Sequence, residues 1–269
     1  MTDMDKIHAI IVAMLIATLG FAETISLNDS GVWREESRII TLEDGTLRVK
    51  GKGYLNSVDY PRLNRNKKYT MRCKARMTPN APKSNFAFGF IFLNDEEQGI
   101  PLSSLNAVKD SYATLAKDVK KGDKEITVKA ENTKVWRAVP GFNVAYNVSR
   151  DKSDMPNRNI LGGIKKVEAA EGAQLVTLAS GAKCDLPAGS LVRIQSGYSY
   201  EVRLCYASSL DYEWKEFKGS ISGVLPLGEF DGRHFPSAPE IEALKIWVSC
   251  NGSNPESITE IKDFVLEIE

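Results

Sequence analysis

The sequence predicts an all-β protein: a jelly-roll β-sandwich carrying a small β-barrel-like module in one of its loops. Three observations predict it. Short segments alternate polar and apolar residues with the period of two that gives a strand one buried face. Gly, Pro, Asn and Asp punctuate these segments, the pattern of sandwiches and barrels. In the middle of the chain the strands become shorter and the turns denser, as in a unit of its own.

The chain opens on a polar start, Met1 to Lys6, and an apolar stretch from Ile7 to Ala22. That stretch is shorter than the ~20 residues of a spanning helix. It ends in Gly20-Phe21-Ala22, small residues where signal peptidase needs them. Residues 1–22 therefore read as an export signal, with Glu23 as the mature start. Asp3 and Asp5 offset Lys6, unlike the positive start of an ordinary signal, and an uncleaved anchor or buried helix is the competing reading. After cleavage no membrane span is expected, and the protein is expected outside the cell or at its surface.

The 35 basic residues balance the 35 acidic ones, which excludes the basic excess of a dedicated nucleic-acid binder. The hydrophobic share of 42% and charged share of 26% are globular values.

Trp33 and Tyr54 fall on N-terminal strands or loops. Tyr69–Met77 alternates cleanly, with Tyr69, Met71, Cys73, Ala75 and Met77 on a core face and Arg72, Lys74 and Arg76 in a basic row on the wet face. Phe86, Phe88, Phe90 and Phe92 line one side of Phe86–Leu93. The acidic run Asp95, Glu96 and Glu97 reads as a solvated turn, or as part of an oxygen-ligand set for a structural calcium ion. Mild helical character near Leu102–Lys109 and Pro239–Ala243 suggests single turns.

Ser111–Ile194 reads as the inserted module, splitting the sandwich into residues 23–110 and 195–269. Its hairpins are "TLAKDVKKGDKEITVK" and "GGIKKVEAAEGAQLVTLAS", and Trp136 is expected in its core. The sandwich resumes with Ser199–Ala207, where Tyr200, Val202, Leu204 and Tyr206 share a side. In Leu244–Cys250 the residues Lys245, Trp247, Ser249 and Asn251 share the polar face, which predicts an exposed indole at Trp247. The alternative is that this ring lies under the insert or a loop. Phe264–Glu269 closes the chain.

The outer segments resemble the jelly-roll carbohydrate-binding modules of the galactose-binding-like superfamily. "KKYTMRCKARM", "EWKEFKGSISG", "ALKIWVSCNG" and "ITEIKDFVLEIE" carry the resemblance by their order. The insert resembles small β modules of phage tail-fibre proteins and large secreted bacterial proteins, through "ATLAKDVKKGDKEITV", "MPNRNILGGIKKVE" and "LPAGSLVRI". The first resemblance implies glycan binding, a structural role for Trp214, and N-terminal aromatics that rim the site. The second implies an exported or virion-associated architecture.

Chemistry is thinly represented. His8 leaves with the signal, so only His234 in "DGRHFPS" remains for a Ser-His-Asp or Cys-His mechanism, and no Gly-x-Ser-x-Gly elbow is present. Two acids at glycosidase spacing stay open. Cys73, Cys184, Cys205 and Cys250 lack zinc or redox spacing. Cys73 and Cys250 sit on apolar parity and form the favoured disulfide, against four free thiols.

The reading that results is a non-catalytic glycan-recognition protein. Its ligand residues are Trp247, Lys245, Asn251, Arg72, Arg203, Tyr54 and Trp33, and its partner is a polysaccharide or glycoconjugate. The alternative is a self-assembling subunit of an extracellular filament, surface layer or virion fibre.

Overall fold

The computed structural model describes residues 22–269, apart from 52, 198, 199, 253 and 255. The export signal expected over residues 1–22 thus lies, but for Ala22, outside the described residues. Among the described residues no helix is long and apolar enough to cross a membrane.

The first half contributes β1 (Glu23–Ser26), β2 (Ile39–Thr41), β3 (Leu47–Lys50), β4 (Gly53–Asn56), β5 (Tyr69–Met77) and β6 (Phe86–Leu93). A one-turn helix α1 (Leu102–Leu105) follows. Then come β7 (Ala113–Leu115), β8 (Glu125–Ala130), β9 (Phe142–Tyr146), β10 (Ile160–Ala170), β11 (Ala173–Leu178) and β12 (Leu191–Ser196). The last part holds β13 (Glu201–Ala207), β14 (Lys215–Ile221), β15 (Val224–Leu225), β16 (Phe235–Pro236), β17 (Ala243–Cys250) and β18 (Ile258–Ile268).

Strands β7 to β12 close into a barrel in the order β10-β11-β8-β7-β12-β9. Apart from the short parallel pair β15-β16, the others form two facing sheets. One runs β14-β5-β18-β3-β2, with β1 also on β18; the other runs β13-β6-β17-β4. The pairing has a simple logic. Strands β3, β4, β5 and β6 pair antiparallel with β18, β17, β14 and β13 respectively. The first half of the sandwich pairs with the second in reverse order. It is one long hairpin rolled into two sheets, which is a jelly roll, and the barrel sits at the hairpin's tip.

The alternating residues fill the space between the sheets. Tyr69, Met71, Cys73, Ala75 and Met77 of β5 and the four phenylalanines of β6 are all buried. Tyr69 meets Phe90 edge-on at 6.2 Å, and Phe88 packs on Phe264 at 5.7 Å. The barrel has its own core, with Leu115, Ile126, Val128, Trp136, Val144, Leu161, Val176 and Val192. Outside that core, Arg193 of β12 is fully buried and grips Asp154 with two bonds of 2.9 and 2.7 Å. Burial pushes the Asp154 carboxyl up, but Ser149, Arg193 and Asn157 together hold it below the usual carboxylate range.

A two-stranded stem joins the units. Ala107 bridges Gln195, the Val108 N–H donates to Ile194 O at 2.9 Å, and the Ser196 N–H donates to Asn106 O at 3.1 Å.

In the sandwich, two bulges depart from simple alternation. β13 shifts register against β6 between Arg203 and Cys205. Val202, before the shift, is buried and Tyr206, beyond it, is exposed; Tyr200 precedes the strand and is exposed too, so the three do not share a face. β18 shifts between Lys262 and Val265, where Asp263 adopts a φ of 52°.

The expected Cys73–Cys250 bridge is absent, and all four cysteines are free thiols. Cys73 lies in register with Phe217 on β14, and Cys250 with Phe86 on β6. It is those two rings, 5.2 Å apart, that meet between the sheets. Burial pushes the Cys250 thiol up to about 12, with the Thr259 hydroxyl opposing. Burial also raises Cys73.

Two outcomes follow from this architecture. Removing Ser111–Ile194 and bridging with a short Gly-Ser linker should leave a cooperatively folding sandwich, because the stem already brings the ends together. A molten product on thermal denaturation would show that the barrel completes the outer core. The raised Cys250 thiol keeps its proton when folded but sheds it near ~8.5 when unfolded. Its stabilising contribution is therefore whole below that pH and is lost as pH climbs toward 12. In reducing buffer, Cys250→Ala should lose less of its urea resistance than wild type between pH ~8.5 and ~11; equal losses would contradict the raised thiol.

Candidate functional site

The outer face of the β13-β6-β17-β4 sheet carries the cleft that stands out. Its registers place Lys245, Ile91 and Glu201 in one row across β17, β6 and β13, and Asn56, Trp247, Gly89 and Arg203 in the next. The cleft encloses ≈ 660 Å³ and is lined by Tyr54, Ile91, Lys245, Glu201 and Tyr200, with the turn Glu97–Gly99 and Arg158 of the barrel segment at its rim. Tyr200 is 48% exposed, and its ring lies so close to Gly99 that a Cβ there would sit 2.9 Å from it.

Tyr54 crosses the sheet. It starts from β4, one edge strand, and its hydroxyl donates to Glu201 Oε1 on β13, the other edge strand, at 2.7 Å. Burial, and then the Glu201 bond, drives the Tyr54 hydroxyl far above its ordinary pKa, so it remains a donor. Beneath it, the Trp247 indole stacks on the Tyr54 ring at 5.8 Å with 5° between planes. The Trp247 Nε1–H donates to Phe90 O at 3.2 Å.

Trp247 is thus on the expected face but is 1% exposed. The Tyr54 ring lies against it. Asn251 is also fully buried: at a φ of 64° it ends its strand, and its amide donates to Val49 O and Gly51 O at 3.0 and 2.6 Å. Its side chain serves the core side and is not a ligand group. Trp33 is buried against Phe264 at 5.9 Å, with its Nε1–H on Leu27 O.

Arg72 belongs to the opposite sheet. There it pairs with Glu267 at 2.8 Å, in a ladder with Lys74–Asp263 and the shared Arg48–Glu260–Arg76 contact. Each of these four cations there has a carboxylate partner, Glu260 being shared. Trp214 lies over it between Arg76 and Lys262, 4.5 and 4.3 Å from its ring. Arg203 is on the right sheet, next to the cleft, and stacks on Tyr206 at 5.0 Å. Of the expected ligand residues, Tyr54 and Lys245 line the cleft and Trp247 supports it.

Asp95, Glu96 and Glu97 are exposed on a tight turn closed by Glu97 N–H to Asn94 O and by Gln98 N–H to Asn94 Oδ1. Their carboxylates are solvated and do not converge. Among the described residues no group of three His, Cys, Asp or Glu side chains is placed to hold a metal ion. The His234 ring meets Asp231 Oδ2 at 2.9 Å on a surface turn, and the Ser237 hydroxyl accepts the Leu227 N–H.

No protein-family model, curated protein or solved structure matches the chain. What is shown is an antiparallel β-sandwich with a closed six-stranded barrel, and the site has to be read from its own geometry.

Tyr200 and Arg158 are cleft residues that alternation alone did not identify. Tyr200 shares its parity with Val202, but it precedes β13, where the alternation does not yet hold. Arg158 arrives from the far side of the insert, so no local pattern could place it.

Replacing Trp247 by Ala should cost about 3–5 kcal/mol, the usual penalty for emptying a buried aromatic site. Chemical denaturation would measure it. A change below about 1 kcal/mol would mean that the indole is solvent-exposed after all.

Proposed function

We propose that this protein recognises a glycan, without acting on it, through the cleft of Tyr54 and Tyr200, and that it does so outside the cytoplasm. One observation carries the reading: two tyrosine rings and several polar side chains share one open cleft on the outer face of a jelly-roll sheet. A sugar offers flat C–H faces and many hydroxyls. The matching site needs a ring to stack on and polar groups around it. The cleft volume lies within the range of small-ligand sites.

The division of labour differs from that expected of an exposed tryptophan. Trp247 backs the Tyr54 ring, and the Glu201 bond fixes its tilt, so Tyr54 is held rigid before any ligand arrives. Such preorganisation lowers the entropic cost of binding. Tyr200 is the more exposed ring and offers the accessible stacking surface.

Tyr200→Ala should abolish retention on a polysaccharide gel that retards the wild type, while leaving the thermal midpoint within a few degrees. Unchanged retention would remove the cleft from the reading. Large assemblies formed by the purified protein in the absence of sugar, seen by electron microscopy, would favour the filament or fibre subunit instead.

A further inference from the structure

Resting on the glycan reading, we infer that the cleft selects an acidic glycan, whose anionic group sits against Lys245 with Arg34 behind it. Two cations converge on one ring here. The Lys245 ammonium stands 6.0 Å from the Tyr60 ring centroid and the Arg34 guanidinium 5.5 Å from the same centroid. Among the described residues neither has a carboxylate within ion-pair distance. On the opposite sheet Arg48, Arg72, Lys74 and Arg76 each have an acid partner.

The nearby acids keep their charge, but among the described residues none stands within ion-pair distance of either cation. Glu35 adjoins Arg34 in the chain, but its two oxygens accept the Asn56 N–H at 2.8 Å and the Asn56 side-chain amide at 3.1 Å. Its negative charge offsets part of the pair and leaves one positive charge in excess. Glu201 accepts the Tyr54 hydroxyl, and it lies two strand spacings along the row from Lys245, roughly 10 Å. Glu97 stands on the exposed turn at the rim. Arg158, the other cation of the cleft, is engaged by Glu240 at 3.3 Å.

Lys245 is also half-buried. Burial holds its ammonium below the usual lysine range; the Arg34 charge adds to this and Glu35 works against it. A partly desolvated cation without a counter-ion is costly, and a ligand anion relieves that cost. A carboxylate or sulfate on a sugar ring has the charge and the acceptor oxygens to do so, while its neighbouring ring faces Tyr54 or Tyr200.

The test uses the folded chain and affinity electrophoresis on matched polymers: galactan with polygalacturonate, mannan with polymannuronate, and dextran with dextran sulfate. Wild type should be retained more strongly by one or more acidic members than by their neutral partners. Lys245→Gln should weaken that retention about ten- to hundredfold, the usual worth of a charged hydrogen bond, and Lys245→Arg should restore much of it. Arg72→Gln, on the far face, should change nothing; an equal loss there would expose the effect as general charge attraction and overturn the inference. Retention on neutral polymers, sensitive to Tyr200→Ala but indifferent to Lys245→Gln, would overturn the acidic preference and leave glycan recognition standing. Retention on none of the six polymers would count against both.

Discussion

The sandwich depends on β6 and β13 lying side by side with the whole barrel between them in sequence. All the other cross-pairs of the rolled hairpin are nested outside this one. A tight turn would normally hold such a tip together; here the stem of Ala107 and Gln195 and the closure of the barrel do so. Loop closure grows only slowly with length, so a self-folding insert adds little cost once its ends meet. The contact itself is close. A Cβ at Gly89 would fall 1.8 Å from Val202 O, so the bulge in β13 can press on β6 only where glycine stands.

The stretch that leads into this bulge lines the cleft. Tyr200 lies exposed just before β13, Glu201 stands in the row of Ile91 and Lys245, and Arg203, at the bulge, stacks on Tyr206. Glu201 can then meet Tyr54 from the opposite edge of the sheet, which in turn seals Trp247. The two outer faces of the sandwich differ accordingly. One is a ladder of ion-paired charges, which fits a plain solvated surface. The other has rings, a long-reaching hydrogen bond and cations without matching acids.

Much of this was legible in the residues. β5 begins and ends where its alternation does, because its two faces contrast in chemistry, and β6 is an unbroken apolar run bounded by Asn85 and Asn94. The reverse pairing could not be read, since it depends on partners far apart in the chain. Parity placed Trp247 and Lys245 on one face correctly. It failed on exposure, because a period of two says which side a ring occupies and nothing about what leans over it. Asn251 was misread for a related reason: the strand ends there with a left-handed residue, so the alternation no longer applies. Trp33 lies in an irregular segment between β1 and β2 with no period to follow.

The pairing of β1 with β18 has a mechanical consequence. Glu23 lies opposite Ile268, so the two ends of the sandwich leave from the same margin of one sheet and run antiparallel. Tension applied between them would load the ladder bonds singly, from the margin inward, like a zip being drawn. Strands pulled lengthwise past each other share a load among all their bonds at once; this geometry does not. The sandwich would yield to stretching at low force even where its resistance to heat or urea is high, and β1 would part first while the rolled core stayed closed.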